Sequence, residues 1–247
     1  MNKTLIYAHR GANREAAENT RTAFDRALSY AIDGIETDVQ LSRDEVALLW
    51  HDRFLNKVGL PEKHIDDYAY AELRAMNFAA HFSAAAVPES LMTLREFLNA
   101  YRRRCCLLIE IKNRAWESTC RQELKVRQAL ESVAQGASDE IMVSSFNLDS
   151  LIYAHQCAPH VPLVYNLEIE QTLEQARAVL IEHSFLHGLC LPIASLDIEM
   201  VDLLRGYRKC IAVYTCNSDQ EINLALALGV DILISDIPQK ALQLRDK

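Results

Sequence analysis

Short apolar runs rich in β-branched residues alternate with longer amphipathic stretches along most of the chain. The short runs predict strands at Thr4–Ala8, Gly34–Leu41, Glu45–Trp50, Leu107–Ile111, Glu140–Val143, Pro162–Tyr165, His187–Leu191, Cys210–Thr215 and Asp231–Ser235. The longer stretches read as helices. Phe24, Ala27, Leu28 and Ala31 recur at i, i+3, i+4 and i+7 and give one apolar face. Asn19 or Thr20 is the natural N-cap of that helix, and Ser218-x-x-Glu221 is a capping box before another. Gly136 is placed to end a long helix beginning near Trp116. One connection breaks the rhythm. Only Ser42 to Glu45 separates the second and third runs, whereas a parallel crossover needs a dozen residues or more. Those two runs must form an antiparallel hairpin. With the return strand set aside, about eight parallel strands remain, which is the number that closes a (β/α)8 barrel.

Residues 53–93 interrupt the alternation. They contain a charged cluster (Glu62, Lys63, His64, Asp66, Asp67), an alanine run at Ala84–Ala86 and one short helical pattern near Ala71–Met76, before a helix at Thr93–Tyr101. Forty structureless residues inside a compact domain would be unusual, so this stretch reads as a small subdomain inserted on the barrel rim. The chain as a whole, 1–247, then reads as one α/β unit.

Composition narrows the setting. The formal net charge of −8 argues against a nucleic-acid surface, and no apolar run is long enough for stable insertion in a membrane. The N-terminus lacks the apolar length and cleavage site of a secretory signal. The seven cysteines are odd in number, and several sit inside apolar runs. Packed free thiols in a cytoplasmic protein are the expectation.

Three clusters carry candidate chemistry: His9-Arg10-Gly11 just past the first strand, Glu36-Thr37-Asp38 with His51-Asp52 at the far end of the hairpin, and Glu110-Ile111-Lys112. Glu36 and Asp38 share one face of their strand, as do Glu110 and Lys112 of theirs. A barrel strand is covered on both faces, so acids there are costly unless cations sit among them. With a turn centred between Arg43 and Asp44, paired residue numbers sum to about 87, which sets His51 opposite Glu36. Barrel active sites lie at the C-terminal strand ends, so the clusters converge on one rim. Hard carboxylate oxygens without cysteine suit Mg²⁺ or Ca²⁺. Two histidines can exchange protons near neutral pH, and Arg10 and Lys112 can bind phosphoryl oxygens. These are the parts that hydrolysis of a phosphate diester requires.

The ordered set HRG (9–11), ENT (18–20), ETDV (36–39), HD (51–52) and EIK (110–112) resembles the glycerophosphodiester phosphodiesterases. The likeness continues through Ser144-Ser145-Phe146-Asn147, Tyr214-Thr215-Cys216-Asn217, Gly229-Val230-Asp231 and Ser235-Asp236-Ile237-Pro238. It implies a (β/α)8 barrel with an insertion after the HD motif. It implies one divalent metal on Glu36, Asp38 and Glu110, His9 and His51 as the acid/base pair, Arg10 and Lys112 around the phosphate, and Glu18 and Asn19 at the edge of the substrate site. The expected reaction is metal-dependent hydrolysis of glycerophosphodiesters to sn-glycerol 3-phosphate and an alcohol, within glycerol and lipid metabolism. Which histidine is the acid, whether water or the glycerol 2-hydroxyl attacks first, and whether the chain is a homodimer stay open. Ala17, Glu45, Met92 and Tyr214 stand where the family usually has Pro, Gly, Pro and Trp. Two other readings exist. Lysophospholipids or other phosphodiesters would need an apolar channel, for which Phe78, Phe82, Leu91 and Met92 are available, although a small core for the insertion is the simpler use of them. A non-catalytic phosphate-binding barrel would need a missing catalytic group, and none is missing.

Overall fold

The computed structural model describes residues 3–83, 86–134 and 140–247. Among them, one sheet carries β1 (Leu5–His9), β2 (Gly34–Leu41), β3 (Ala47–Leu49), β4 (Cys106–Ile111), β5 (Ile141–Ser145), β6 (Leu163–Asn166), β7 (Gly188–Pro192), β8 (Cys210–Tyr214) and β9 (Ile232–Ser235). Its strand order is β1-β9-β8-β7-β6-β5-β4-β2-β3, and β1 also pairs with β2. That last pairing closes a parallel eight-stranded barrel, with β3 as an antiparallel appendage on β2. The fold is the (β/α)8 barrel that the alternation predicts.

The helices are α1 (Arg21–Leu28), α2 (Tyr70–Arg74), α3 (Leu94–Tyr101), α4 (Thr119–Ala134), α5 (Leu148–Cys157), α6 (Leu173–Glu182), α7 (Ile198–Gly206), α8 (Asp219–Leu228) and α9 (Pro238–Arg245). Of the two residues offered as the cap of α1, Thr20 does the work: its hydroxyl accepts from the Ala23 amide. The Ser218/Glu221 capping box opens α8 as expected, and Thr93 with Glu96 opens α3 in the same way. Gly136, and Ala84 and Ala85 of the alanine run, lie outside the described residues.

Three apolar clusters hold the structure. The largest lies between the strands and the surrounding helices and includes Phe24, Phe97 and Tyr101. A second fills the lower barrel interior with Tyr7, Leu108, Met142, Val164, Ala212 and Ile232. Gly34 is needed there, because a Cβ at that position would come within 2.5 Å of the Tyr7 ring. The third joins β3 to the stretch that follows it, through Leu48, Trp50, Leu55, Ile65, Leu73, Phe78 and Leu91, with Trp50 and Phe78 in edge contact at 5.3 Å. Phe78 and Leu91 are thus committed to this small core, Met92 packs in the main core, and Phe82 is exposed. The four do not form one apolar channel.

Two expectations are corrected. The hairpin pairs Val39 with Leu49 and Leu41 with Ala47, so residue numbers sum to 88, not 87. The loop has three residues: Ser42 pairs with Val46, and Glu45 adopts a left-handed φ of 64°. A type of loop with one residue in that conformation shifts the register by one. In consequence β3 begins only at Ala47, and His51 is carried past the paired segment rather than set opposite Glu36. The cysteines are all free, as expected, but Cys120 and Cys157 are exposed because they sit on outer helices.

Candidate active site

The site sits at the C-terminal ends of the barrel strands. Gly11, with φ 84°, lets α1 approach so closely that a Cβ would stand 2.6 Å from the Ala23 carbonyl carbon. The preceding residue, Arg10, also has a left-handed φ of 57°. That conformation is uncommon for a non-glycine and is held here by backbone hydrogen bonds to Glu36 and Asn19. The guanidinium then lies against β2, with Nε 2.9 Å from Asp38 Oδ2 and Nη1 3.4 Å from Glu18 Oε2.

Glu36 and Asp38 point inward from β2, and Glu110 and Lys112 do so from the end of β4. Lys112 Nζ lies 2.5 Å from Glu110 Oε1 and 3.1 Å from Asp38 Oδ1. Burial alone would raise the Asp38 carboxyl, but Arg10 and Lys112 beside it outweigh that and hold it far below the usual carboxylate range. Glu36 goes the other way. Burial first, and then the Asp38 charge, push its carboxyl well above the ordinary value. Two close cations thus offset two of the three carboxylates, whose oxygens lie within 4.8 Å of one another, and Glu36, left without a cation of its own, keeps its proton more tightly than usual. Its Oε2 is buried without a hydrogen-bond partner. A buried, oxygen-only cluster in which one carboxylate has no cation of its own fits a hard divalent cation, which would displace the proton from Glu36.

Both histidines are backed by a carboxylate at Nδ1. His9 Nδ1 is 2.6 Å from Asp236 Oδ1, and His51 Nδ1 is 2.8 Å from Asp52 Oδ1. Each Nδ1 thus faces an acceptor and carries a proton, which leaves Nε2 available on both rings. Asp236, just past β9, also accepts from Asn13 at 2.6 Å and from Asn217 at 2.8 Å. Burial and the Arg10 charge lower the His9 pKa, against the pull of Asp236.

His51 is held through its backbone as well. Gln40 Nε2 reaches the carbonyls of Trp50, His51 and Asp52 at 2.8, 3.2 and 3.0 Å, and Arg114 donates to the His51 carbonyl at 2.7 Å. The loop bearing Arg114 is anchored by Lys125, whose buried ammonium meets Glu117 Oε1 at 2.7 Å and the Lys112 carbonyl at 2.6 Å. Burial lowers the pKa of that lysine to about 8. A second acidic group, Glu18 with His51 and Asp52, already has its cation: Lys57 Nζ lies 2.8 Å from Glu18 Oε1 and 3.0 Å from Asp52 Oδ2.

His9, Arg10, Glu36, His51, Glu110 and Lys112 line a common cavity of about 180 Å³. Asp38 lies just behind it, fully buried. Asn19 is not in the lining. Its side-chain amide donates to Asp38 at 3.1 Å and accepts from the Thr37 hydroxyl at 2.8 Å. Glu18 joins Arg10 to Lys57 at the edge. The sequence pattern carried a signal for Gln40, which continues the Glu36/Asp38 alternation, and for Asp236, which directly follows a strand. It carried none for Lys57, Arg114 or Asn217 as neighbours of the histidines.

The family model for the glycerophosphoryl diester phosphodiesterase family matches residues 9–240. The chain belongs to that family. It is accordingly an enzyme of a hydrolase family. A glycerophosphodiester phosphodiesterase of Bacillus altitudinis is 31% identical over 250 residues, covering 99% of each chain. Among solved structures, an Oleispira antarctica phosphodiesterase in complex with the product sn-glycerol-3-phosphate superposes with a TM-score of 0.87. It is 24% identical, with 99% of this chain and 98% of that one covered. A glycerophosphodiester phosphodiesterase of Agrobacterium tumefaciens superposes with a TM-score of 0.80 at 23% identity, covering 97% and 99%. Among the described residues, no helix is long and apolar enough to cross a membrane.

Proposed function

We propose that this enzyme hydrolyses glycerophosphodiesters to sn-glycerol 3-phosphate and an alcohol, with His9 and His51 as its acid/base pair. The observation that carries this reading is the meeting of two carboxylate-backed imidazoles with Arg10, Lys112, Glu36 and Glu110 on one cavity. The reading is supported by the Oleispira relative, whose bound sn-glycerol-3-phosphate is the product such a reaction releases.

Arg10 offers a fork of donors and Lys112 a point charge to the phosphoryl oxygens. One imidazole Nε2 takes the proton of the attacking oxygen as its bond to phosphorus forms. The other imidazole, protonated, gives its proton to the departing alkoxide as the phosphorus–oxygen bond breaks. Asp236 and Asp52 fix the ring orientations and stabilise the imidazolium when each ring is charged. Asn19 holds Asp38, and Asp38 in turn holds Arg10. Glu36, Asp38 and Glu110 would hold Mg²⁺ or Ca²⁺. When bound, such an ion supplies positive charge for the phosphoryl oxygens beyond what Arg10 and Lys112 provide. The whole chain, 1–247, acts as one unit, with 53–93 as a rim insertion that delivers Lys57. The free cysteines fit a reducing, cytoplasmic setting.

A coupled assay for glycerol 3-phosphate, run on glycerophosphocholine with and without metal, tests this. Release of glycerol 3-phosphate is expected, falling at least about 100-fold after exhaustive chelation and returning with Mg²⁺ or Ca²⁺. Full activity after chelation would remove the metal from the reading, and no release under any metal would remove the substrate class.

A further inference from the structure

The inner wall of the cavity carries a polar pair that the acid/base and phosphate roles leave unused. Asn166, at the end of β6, is 4% exposed, and Ser144, on β5, is 1% exposed. Both line the cavity. Asn166 Nδ2 faces Ser144 Oγ at 3.5 Å, while Asn166 Oδ1 is buried with no hydrogen-bond partner. Ser144 is the register partner of Glu110, so the pair continues the carboxylate cluster around the barrel wall.

A buried amide oxygen without a donor is destabilising, and an apolar residue would avoid that cost. No donor reaches Asn166 Oδ1 within hydrogen-bond distance. The Tyr214 hydroxyl is spent on the Leu167 carbonyl at 2.6 Å. Cys190 beside it keeps its proton, since burial raises its thiol, but a thiol is a weak donor. Leu108, Phe146, Thr215 and Ile234 complete the lining, and none of them reaches Asn166 Oδ1 with a hydrogen bond. What is missing is therefore a donor brought by the ligand. Phosphate oxygens of a diester only accept, and they are drawn to Arg10 and Lys112. A hydroxyl both donates and accepts, which suits Asn166 Oδ1 and Ser144 Oγ together.

We infer that Asn166, with Ser144, forms a hydroxyl-reading subsite that takes a hydroxyl of the substrate's glycerol moiety and so sets the preference for glycerol-bearing diesters. The inference rests on the phosphodiesterase reading above. Glycerophosphocholine makes a clean probe, because its quaternary ammonium has no N–H and its glycerol hydroxyls are its only donors. Bis(p-nitrophenyl) phosphate has no hydroxyl.

The test compares the metal-loaded wild-type enzyme with Asn166→Ala and Asn166→Leu on these two substrates, with thermal melts as a check on folding. On glycerophosphocholine, kcat/KM is expected to fall about 10- to 100-fold, mostly through KM. On bis(p-nitrophenyl) phosphate it should change less than about threefold, and this retained activity also reports an intact fold. An equal fall on both substrates, or none on glycerophosphocholine, would overturn the subsite. Failure of the wild-type enzyme on both substrates would instead overturn the phosphodiesterase reading itself.

Discussion

The two histidines occupy contrasting stations. His9 ends a barrel strand and is 17% exposed at its side chain, and the carboxylate behind it, Asp236, comes from the far end of the chain. Asn13 and Asn217 fix that carboxylate in turn. His51 stands beyond the hairpin, is 32% exposed, and takes its carboxylate from the next residue. Its place is set through its backbone, by Gln40 from β2 and Arg114 from the loop after β4, and through Lys57 from the insertion. One base is thus oriented by closure of the barrel, and the other by a loop pinned onto it. The same imidazole–carboxylate chemistry has been built twice, once from long-range contacts and once from local ones.

The largest test removes each ring. His9→Ala and His51→Ala should each lower kcat by about 10²–10⁴ with the metal present. Steady-state kinetics on folded protein measure this, and a near-normal rate in either variant would break the pairing of the two stations. A smaller effect distinguishes their supports. Asp236→Asn should cost about 10- to 100-fold, because Asp236 anchors His9 within a shared network; Asp52→Asn should cost less, because Gln40 and Arg114 still hold the His51 backbone. Equal losses would mean that the backbone clamp contributes nothing to positioning. The smallest effect is on stability. Burial would raise the Asp52 carboxyl, but hydrogen bonds from His51 and Lys57 bring it down to about 2, below the roughly 3.9 of an unfolded chain. Its stabilising contribution is therefore complete above about pH 4 and is lost as pH falls through about 2. Denaturant melts of wild type and Asp52→Asn should differ by about 1 kcal/mol at pH 6 and converge toward pH 2.

Much of this arrangement was legible along the chain. The alternation of short and long apolar periods, with a connection too short for a crossover, leads to eight parallel strands and one returning strand, and the closed sheet has that form. The alternation Glu36, Asp38 and the pair Glu110, Lys112 place charges on an inward face, because a strand's period of two leaves no other choice once both faces are covered. The hairpin register was less legible. Glu45 takes a left-handed conformation in a loop of three residues, and a one-residue shift of this kind depends on turn geometry that composition does not fix. Asn19 was legible as part of the site, but its hydrogen bonds to Asp38 and Thr37 were not, since they arise only when the loop before α1 packs on β2.

The sequence by itself determined the barrel, the hairpin, and the identities of the acids, histidines and cations at the strand ends. These follow from periodicity and from residue chemistry, which are local properties of the chain. Tertiary structure alone decided which carboxylate backs His9, which donors grip the His51 backbone, and that Lys57 of the insertion fills the gap between Glu18 and Asp52. It also left the Oδ1 of Asn166, a residue of the cavity lining, without a hydrogen-bond partner. Those relations join residues whose separation along the chain carries no information about their distance. They exist only because closing the barrel sets β1 beside both β2 and β9 and brings every strand end to one rim.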